Sequence, residues 1–298
     1  MTAREGQTFH GMSRAIRYVN FVKLPHTLFA LPFALVGVVL ASYRMPVTIR
    51  EVGWVVVAFT AARFAAMGFN RIADREIDAL NPRTRMREIP SGALGVTEAM
   101  IAVAVACGLF LFAAFELNRV CFLLAPVALA WVFFYSFTKR FTRWSHLVLG
   151  MGSAIAPAGG YLAVTGAWSQ PWWMLCLLSL AVACWVAGFD VLYALQDVEF
   201  DRGNALYSIP VWLGEHRALI AARVLHVITV LSLAAVGLAA GGGAIYAVGV
   251  FIAAALLLYE HTLVKPGDIS RLDAAFFTMN GIISIVYFGF VFAERVVS

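Results

Sequence analysis

The chain has 298 residues, of which 62% are hydrophobic and only 13% charged, with 23 phenylalanines and a mean hydropathy of +0.83. That composition excludes an ordinary soluble enzyme and indicates an integral membrane protein. The net charge of +5 comes from basic residues dispersed among short polar segments, which argues against a nucleic-acid partner.

A polar stretch runs to Lys23, and the apolar run after it outlasts a signal-peptide core, so no cleaved leader is expected. Nine apolar spans follow, at 21–42, 53–79, 97–116, 119–138, 146–165, 172–199, 217–239, 243–261 and 272–293. The expected fold is therefore all-α, a polytopic membrane bundle forming one domain over residues 1–298. The first span carries Pro25 and Pro32, which membrane helices tolerate when neighbours satisfy the freed backbone groups. The second ends in GFNRIADREID (68–78), followed by the basic loop NPRTRMREIPSG. The fourth ends in FYSFTKRFT. The sixth ends in FDVLYALQDVEFD (189–201), followed by RGNALYSIPVWLG. Two spans that each end in an acidic motif and a Pro-containing loop point to a pseudo-repeat of helices 1–4 and 5–8, with a ninth helix left over. Cys107, Cys121, Cys176 and Cys184 lie in apolar runs without metal spacing and read as small packing residues.

Outside the spans, one side of the membrane receives Arg4, Arg14, Arg17, Arg83, Arg85, Arg87, Lys139, Arg140, Arg143, Arg202, Lys265 and Arg271. The other receives Arg44, Arg50 and Arg295. This asymmetry predicts a cytoplasmic N-terminus, an external C-terminus, and both acidic motifs at the cytoplasmic face.

An Asp placed centrally in a membrane helix costs about 2.5 to 3.5 kcal/mol, so these carboxylates need a compensating role. Asn70, Asp74 and Asp78 are spaced by four, which at about 100° per residue places them on one stripe of a continuous helix. Asp190, Tyr193, Asp197 and Asp201 also share a narrow sector, with Glu199 on the opposite side. Oxygen ligands on two helices suit Mg²⁺, which favours carboxylates together with phosphate oxygens and waters. Asn70, Asp74, Asp78, Asp197 and Asp201 are thus the candidate metal ligands, around a Mg²⁺-bound diphosphate.

With NRIADREID, NPRTRMREIPSG, FYSFTKRFT, YALQDVEFD and LYSIPVWLG in hand, the chain resembles the UbiA family of intramembrane aromatic prenyltransferases over nearly its whole length. Within the family it is most similar to the 4-hydroxybenzoate polyprenyltransferase branch and its menaquinone-pathway relatives. The resemblance implies nine helices around a central cavity open sideways to lipid. It also implies two Asp-rich motifs that hold Mg²⁺ and a polyprenyl diphosphate, an aromatic acid as acceptor, and a place in quinone synthesis in a bacterial inner membrane. One departure is Tyr207 before Ser208, where many relatives carry a Lys.

Each role has a plainer competitor. The four motif Asp residues could instead be solvated helix ends, or could pair with the nearby Arg71, Arg75 and Arg202. Asp190, nearly two turns deeper than Asp197, is a metal-site, catalytic or substrate-orienting carboxylate, or a structural acceptor. Tyr193 could pack, shield a cation, or bond the diphosphate. Arg83 and Arg87 could clamp diphosphate oxygens or only set topology. Lys139 and Arg140 could bind diphosphate or the acceptor carboxylate. Arg63 is a buried partner for an acid or a carboxylate anchor. His26, His146 and His226 are isolated and read as structural. In the expected reaction the cations neutralise the departing diphosphate, a water-excluding aromatic pocket tolerates the allylic cation, and the phenolic ring attacks through carbon. The alternative acceptors within the same reaction class are dihydroxynaphthoate, homogentisate and haem. A transporter for cations or organic phosphates is the alternative from another class, and no obligate protein partner is expected.

Overall fold

A computed structural model of the chain describes residues 14–22, 24–272 and 278–298; Arg4 and the side chains of Arg14 and His26 lie outside what is described. In order, the helices are α1 (Arg14–Phe21), α2 (Leu24–Ala41), α3 (Ile49–Ala73), α4 (Arg75–Leu80), α5 (Val96–Leu117), α6 (Arg119–Thr138) and α7 (Ser145–Thr165). After them come α8 (Trp172–Tyr193), a 3₁₀ turn (Ala194–Asp197), α9 (Val198–Gly203), α10 (Ile209–Leu213), α11 (Glu215–Ala240), α12 (Ala244–Leu263) and α13 (Asn280–Val297).

Eight of the described helices are long and apolar enough to cross a bilayer, one fewer than the nine spans expected. The difference lies in the first span. It folds as α2, 18 residues long, whose side chains are described only from residue 30 onward, and for that reason it is not among the eight.

Lipid offers no hydrophobic drive between helices, so small residues set the closest approaches. Gly37 of α2 sits against the Pro157 carbonyl of α7, and Gly160 of α7 against the Ala34 carbonyl of α2; a Cβ at either would collide with backbone. The main core joins α2, α7, α8, α11, α12 and α13, with Phe33 4.8 Å from Trp185 and 5.8 Å from Tyr287 between ring centroids. Polar contacts close both ends of the bundle. At one, Arg44 donates to the Gln170 carbonyl, Arg50 pairs with Glu116, and Arg295 donates to Ser42. The other end carries both acidic motifs and the loops after them.

Neither motif lies on a continuous helix, which corrects the single-stripe expectation. Asp74 ends α3 and begins α4 with φ −95° and ψ 7°, and Asp197 ends the 3₁₀ turn and begins α9 with φ −103° and ψ 1°. No Gly or Pro causes the first bend. Arg140 does the work of holding it, donating to the freed Ala73 carbonyl at 2.7 Å and to Asp74 Oδ1 at 3.2 Å.

Candidate active site

The site is assembled from four loop cations and four motif carboxylates, each of which meets a partner of opposite charge. Asp74 meets Arg140 at 3.2 Å and Asp78 meets Arg87 at 2.7 Å. Asp197 meets Arg83 at 2.6 Å, and Asp201 meets Lys139 at 3.9 Å. The pairs interleave. Arg83 and Arg87 leave the same loop after the first motif but reach different motifs, and so do the sequence neighbours Lys139 and Arg140. Local pairing with Arg71, Arg75 or Arg202 is absent among the described residues; Arg75 instead bonds Glu76 and the Ile72 carbonyl.

Arg83 is the most enclosed of the cations. Its Nε and Nη2 grip both Asp197 oxygens, at 3.0 and 2.6 Å, and its Nη1 donates to the Tyr193 hydroxyl at 3.1 Å. The same guanidinium lies 5.3 Å from the Tyr193 ring centroid. Burial disfavours its charge, but Asp197 and Tyr193 more than offset this and hold its pKa above the ordinary arginine value. Lys139 shows the same balance: burial opposes the charge, and Asp201, Asp197, Asp190 and Asp74 together raise the pKa. For Asp74 burial wins and pushes the carboxyl up, against the lowering effect of the Arg140 bond. Asn70 donates to Asp74 Oδ2 at 3.0 Å, which ties the first two oxygen-bearing side chains of the motif together.

Several contributors were not legible as site residues. Asn81 bridges the halves, donating to Asp197 Oδ1 at 3.1 Å while accepting from the Arg83 amide at 2.9 Å. Buried Thr84 donates to the Asp78 carbonyl. The signal was the NPRT turn directly after the first motif. His146 and His226 are not isolated, contrary to expectation. His146 Nδ1 lies 2.6 Å from Asp190 Oδ2, and His226 lies 3.0 Å from His261 Nε2 and 3.2 Å from the Trp185 carbonyl. Their partners come from other helices, which spacing along one helix cannot reveal. In the second loop Tyr207 is half-exposed and its amide donates to the Lys139 carbonyl, while buried Ser208 caps α10 through the Val211 amide.

The residues present fit a hard cation. The donors are all oxygens, and Asp78 Oδ2 and Asp201 Oδ2 are buried without a hydrogen-bond partner. No three His, Cys, Asp or Glu side chains among the described residues close on one point.

The profile of the UbiA prenyltransferase family matches residues 30–282. A 4-hydroxybenzoate octaprenyltransferase of Sodalis glossinidius is 30% identical over 227 residues, covering 76% of this chain and 77% of that protein. The apo structure of a UbiA homolog from Aeropyrum pernix K1 superimposes with a TM-score of 0.82 at 34% identity, covering 91% of this chain and 97% of that one. A UbiA homolog from Archaeoglobus fulgidus bound to GPP and Mg²⁺ shares the fold, with a TM-score of 0.68 at 21% identity over 94% of this chain and 99% of its own.

Proposed function

The chain belongs to the UbiA prenyltransferase family, and from that membership we propose that it transfers a polyprenyl group from a prenyl diphosphate to a ring carbon of an aromatic acid of the 4-hydroxybenzoate type, in quinone synthesis. The observation that carries this reading is the interleaved pairing of Asp74, Asp78, Asp197 and Asp201 with Arg140, Arg87, Arg83 and Lys139 at one end of a membrane bundle. A transport path would need its carboxylates nearer the midplane.

Asn70, Asp74, Asp78, Asp197 and Asp201 would hold Mg²⁺. When bound, the ion neutralises charge on the diphosphate as its bond to the allylic carbon weakens. Arg83, Arg87, Lys139 and Arg140 exchange carboxylate partners for diphosphate oxygens, so cationic donors stand ready where negative charge develops. This exchange costs little reorganisation, because the donors already lie in place. The Tyr193 ring, already under a guanidinium, tolerates the positive charge that develops on the allylic carbon. Asp190, steadied by His146, orients the acceptor; it and the departing diphosphate are the two bases available for the ring proton. The prenyl tail needs no polar contact and runs among apolar side chains toward lipid.

We read residues 1–298 as one domain with two four-helix halves, supported by the matching bends at Asp74 and Asp197. The basic loops around the motifs support a cytoplasmic site with the N-terminus on that side, as in a bacterial inner membrane. The test is purified protein in lipid with prenyl diphosphates and a panel of 4-hydroxybenzoate, dihydroxynaphthoate and homogentisate, with Mg²⁺ present or chelated, read by mass spectrometry. A metal-dependent prenylated acid is expected; no prenylated product from any combination overturns the reading.

A further inference from the structure

The segment between α6 and α7 carries Lys139 and Arg140 and ends on Arg143 and Trp144. Among the described residues the exposed Arg143 makes no hydrogen bond or ion pair. It stacks instead on indoles from two parts of the chain: its guanidinium carbon lies 3.8 Å from the Trp212 ring centroid and 5.7 Å from that of Trp144. The two indoles meet edge to face, with centroids 5.5 Å apart. Trp212 belongs to α10, which follows the second acidic motif, so this contact joins the end of that loop to the segment bearing two of the site's cations. A second tie joins the same two segments, where the Tyr207 amide donates to the Lys139 carbonyl at 2.8 Å. Nearer the motif, the Leu206 amide donates back to the Asp201 carbonyl at 2.9 Å, and Ala205 takes a left-handed φ of 53°. A non-glycine residue keeps that conformation only where its surroundings impose it.

Lys139 reaches Asp201 at 3.9 Å, the longest of the four ion pairs at the site, and Asp201 Oδ2 has no hydrogen bond. A contact that loose does not fix its own geometry. The placement of Lys139 against Asp201 therefore depends on the backbone that carries each, and the two ties set that backbone. A planar guanidinium stacks on an indole as an ammonium does not, and half-exposed tryptophans at a bundle end suit the membrane interface. We propose that Arg143 and Trp212 are positioning residues: their stack clamps the loop after the second acidic motif onto the Lys139 segment and so presets Lys139 and Asp201 for the prenyl diphosphate. This rests on the diphosphate reading above. Neither residue touches a motif carboxylate, so the clamp acts through the backbone between them.

The experiment compares the wild type, Arg143→Gln, Trp212→Leu and the double variant in lipid. It measures turnover with a prenyl diphosphate and 4-hydroxybenzoate, and calorimetric binding of inorganic diphosphate with Mg²⁺. Each single variant should raise the KM for prenyl diphosphate and the Kd for inorganic diphosphate about three- to tenfold, the loss expected of one cation–π contact, and leave the acceptor KM within about twofold. The double variant should lose no more than the larger single, because both changes remove the same contact. Arg143→Lys, which keeps the charge without the planar stack, should fall between the wild type and Arg143→Gln. Additive losses in the double variant, equal losses for acceptor and diphosphate, or a lower melting temperature with unchanged diphosphate affinity would each overturn the clamp. Arg143 is exposed, so Arg143→Gln carries the test even if Trp212→Leu does not fold. A wild type that neither turns over nor binds diphosphate with Mg²⁺ instead defeats the underlying function, a result read from the wild type alone.

Discussion

Arg83 and Asp197 stand 114 residues apart in sequence, yet the guanidinium holds both carboxylate oxygens, at 3.0 and 2.6 Å, with both side chains under 10% exposed. This latch fastens the loop after the first acidic motif onto the second. Breaking a buried pair from one side leaves a charge without compensation, which costs about 3 to 5 kcal/mol. Arg83→Ala is therefore expected to lower thermal stability in detergent and to end turnover. Arg83→Lys keeps the charge but not the fork, and should recover stability more than activity. Melting curves beside turnover assays decide it; unchanged melting in Arg83→Ala sinks the latch.

The two motifs should differ in how their loss is felt. Asp74 pairs with a half-exposed Arg140, and such pairs are worth about 0 to 1 kcal/mol. Asp74→Asn is thus expected to abolish transfer while leaving the melting temperature nearly unchanged. Asp197→Asn should abolish transfer and also destabilise, since Arg83 and Asn81 both lose part of their partner. Wild-type turnover in both folded variants removes the two-motif metal site.

Arg140 touches Asp74 and the Ala73 carbonyl and lies 5.3 Å from the Phe137 ring centroid, so its surroundings are those of the first motif. Arg140→Ala and Arg87→Ala should each raise the apparent KM for the prenyl diphosphate about tenfold or more, with a smaller effect on the acceptor. A change confined to the aromatic acid in Arg140→Ala would return that residue to the acceptor site.

Chelation should stop turnover, and Mg²⁺ should restore it. Prenyl diphosphate and Mg²⁺ added together should stabilise the fold by about 2.7 kcal/mol at a hundredfold excess over Kd, read as a rise in melting temperature. Either one alone should do much less, because the carboxylates and loop cations already satisfy one another. Equal stabilisation by the diphosphate without metal contradicts the oxygen-ligand assignment.

Single cysteines placed in the loop containing Arg87 and at Ser298 should label from opposite sides, the first cytoplasmic. Ser298 lies with Tyr43, Arg295 and Ser42 at the end of the bundle away from the motifs. Labelling of both from one side contradicts the bundle's orientation.

Membrane class, helix type and the positions of both acidic motifs were legible because each depends on local properties: apolar length, charge scarcity and a four-residue repeat. The motif order also identified which loops carry the cations. The bends at Asp74 and Asp197 were not legible, because the sequence there has neither Gly nor Pro; at Asp74 an arginine 66 residues away completes the helix end.

The same limit explains the histidines. His146 and Asp190 are 44 residues apart, on helices that approach closely because Gly150 meets the Ala183 carbonyl, and nothing in the spacing of either motif implies that contact. By itself the sequence determined which residues carry charge into the membrane and along which helices, since burying a charge is costly wherever it occurs. The tertiary structure decided the partners, joining Arg83 to Asp197 and Lys139 to Asp201 while giving Arg63 no acid among the described residues, because ion pairing depends on distances of a few ångströms that only the packing of helices sets.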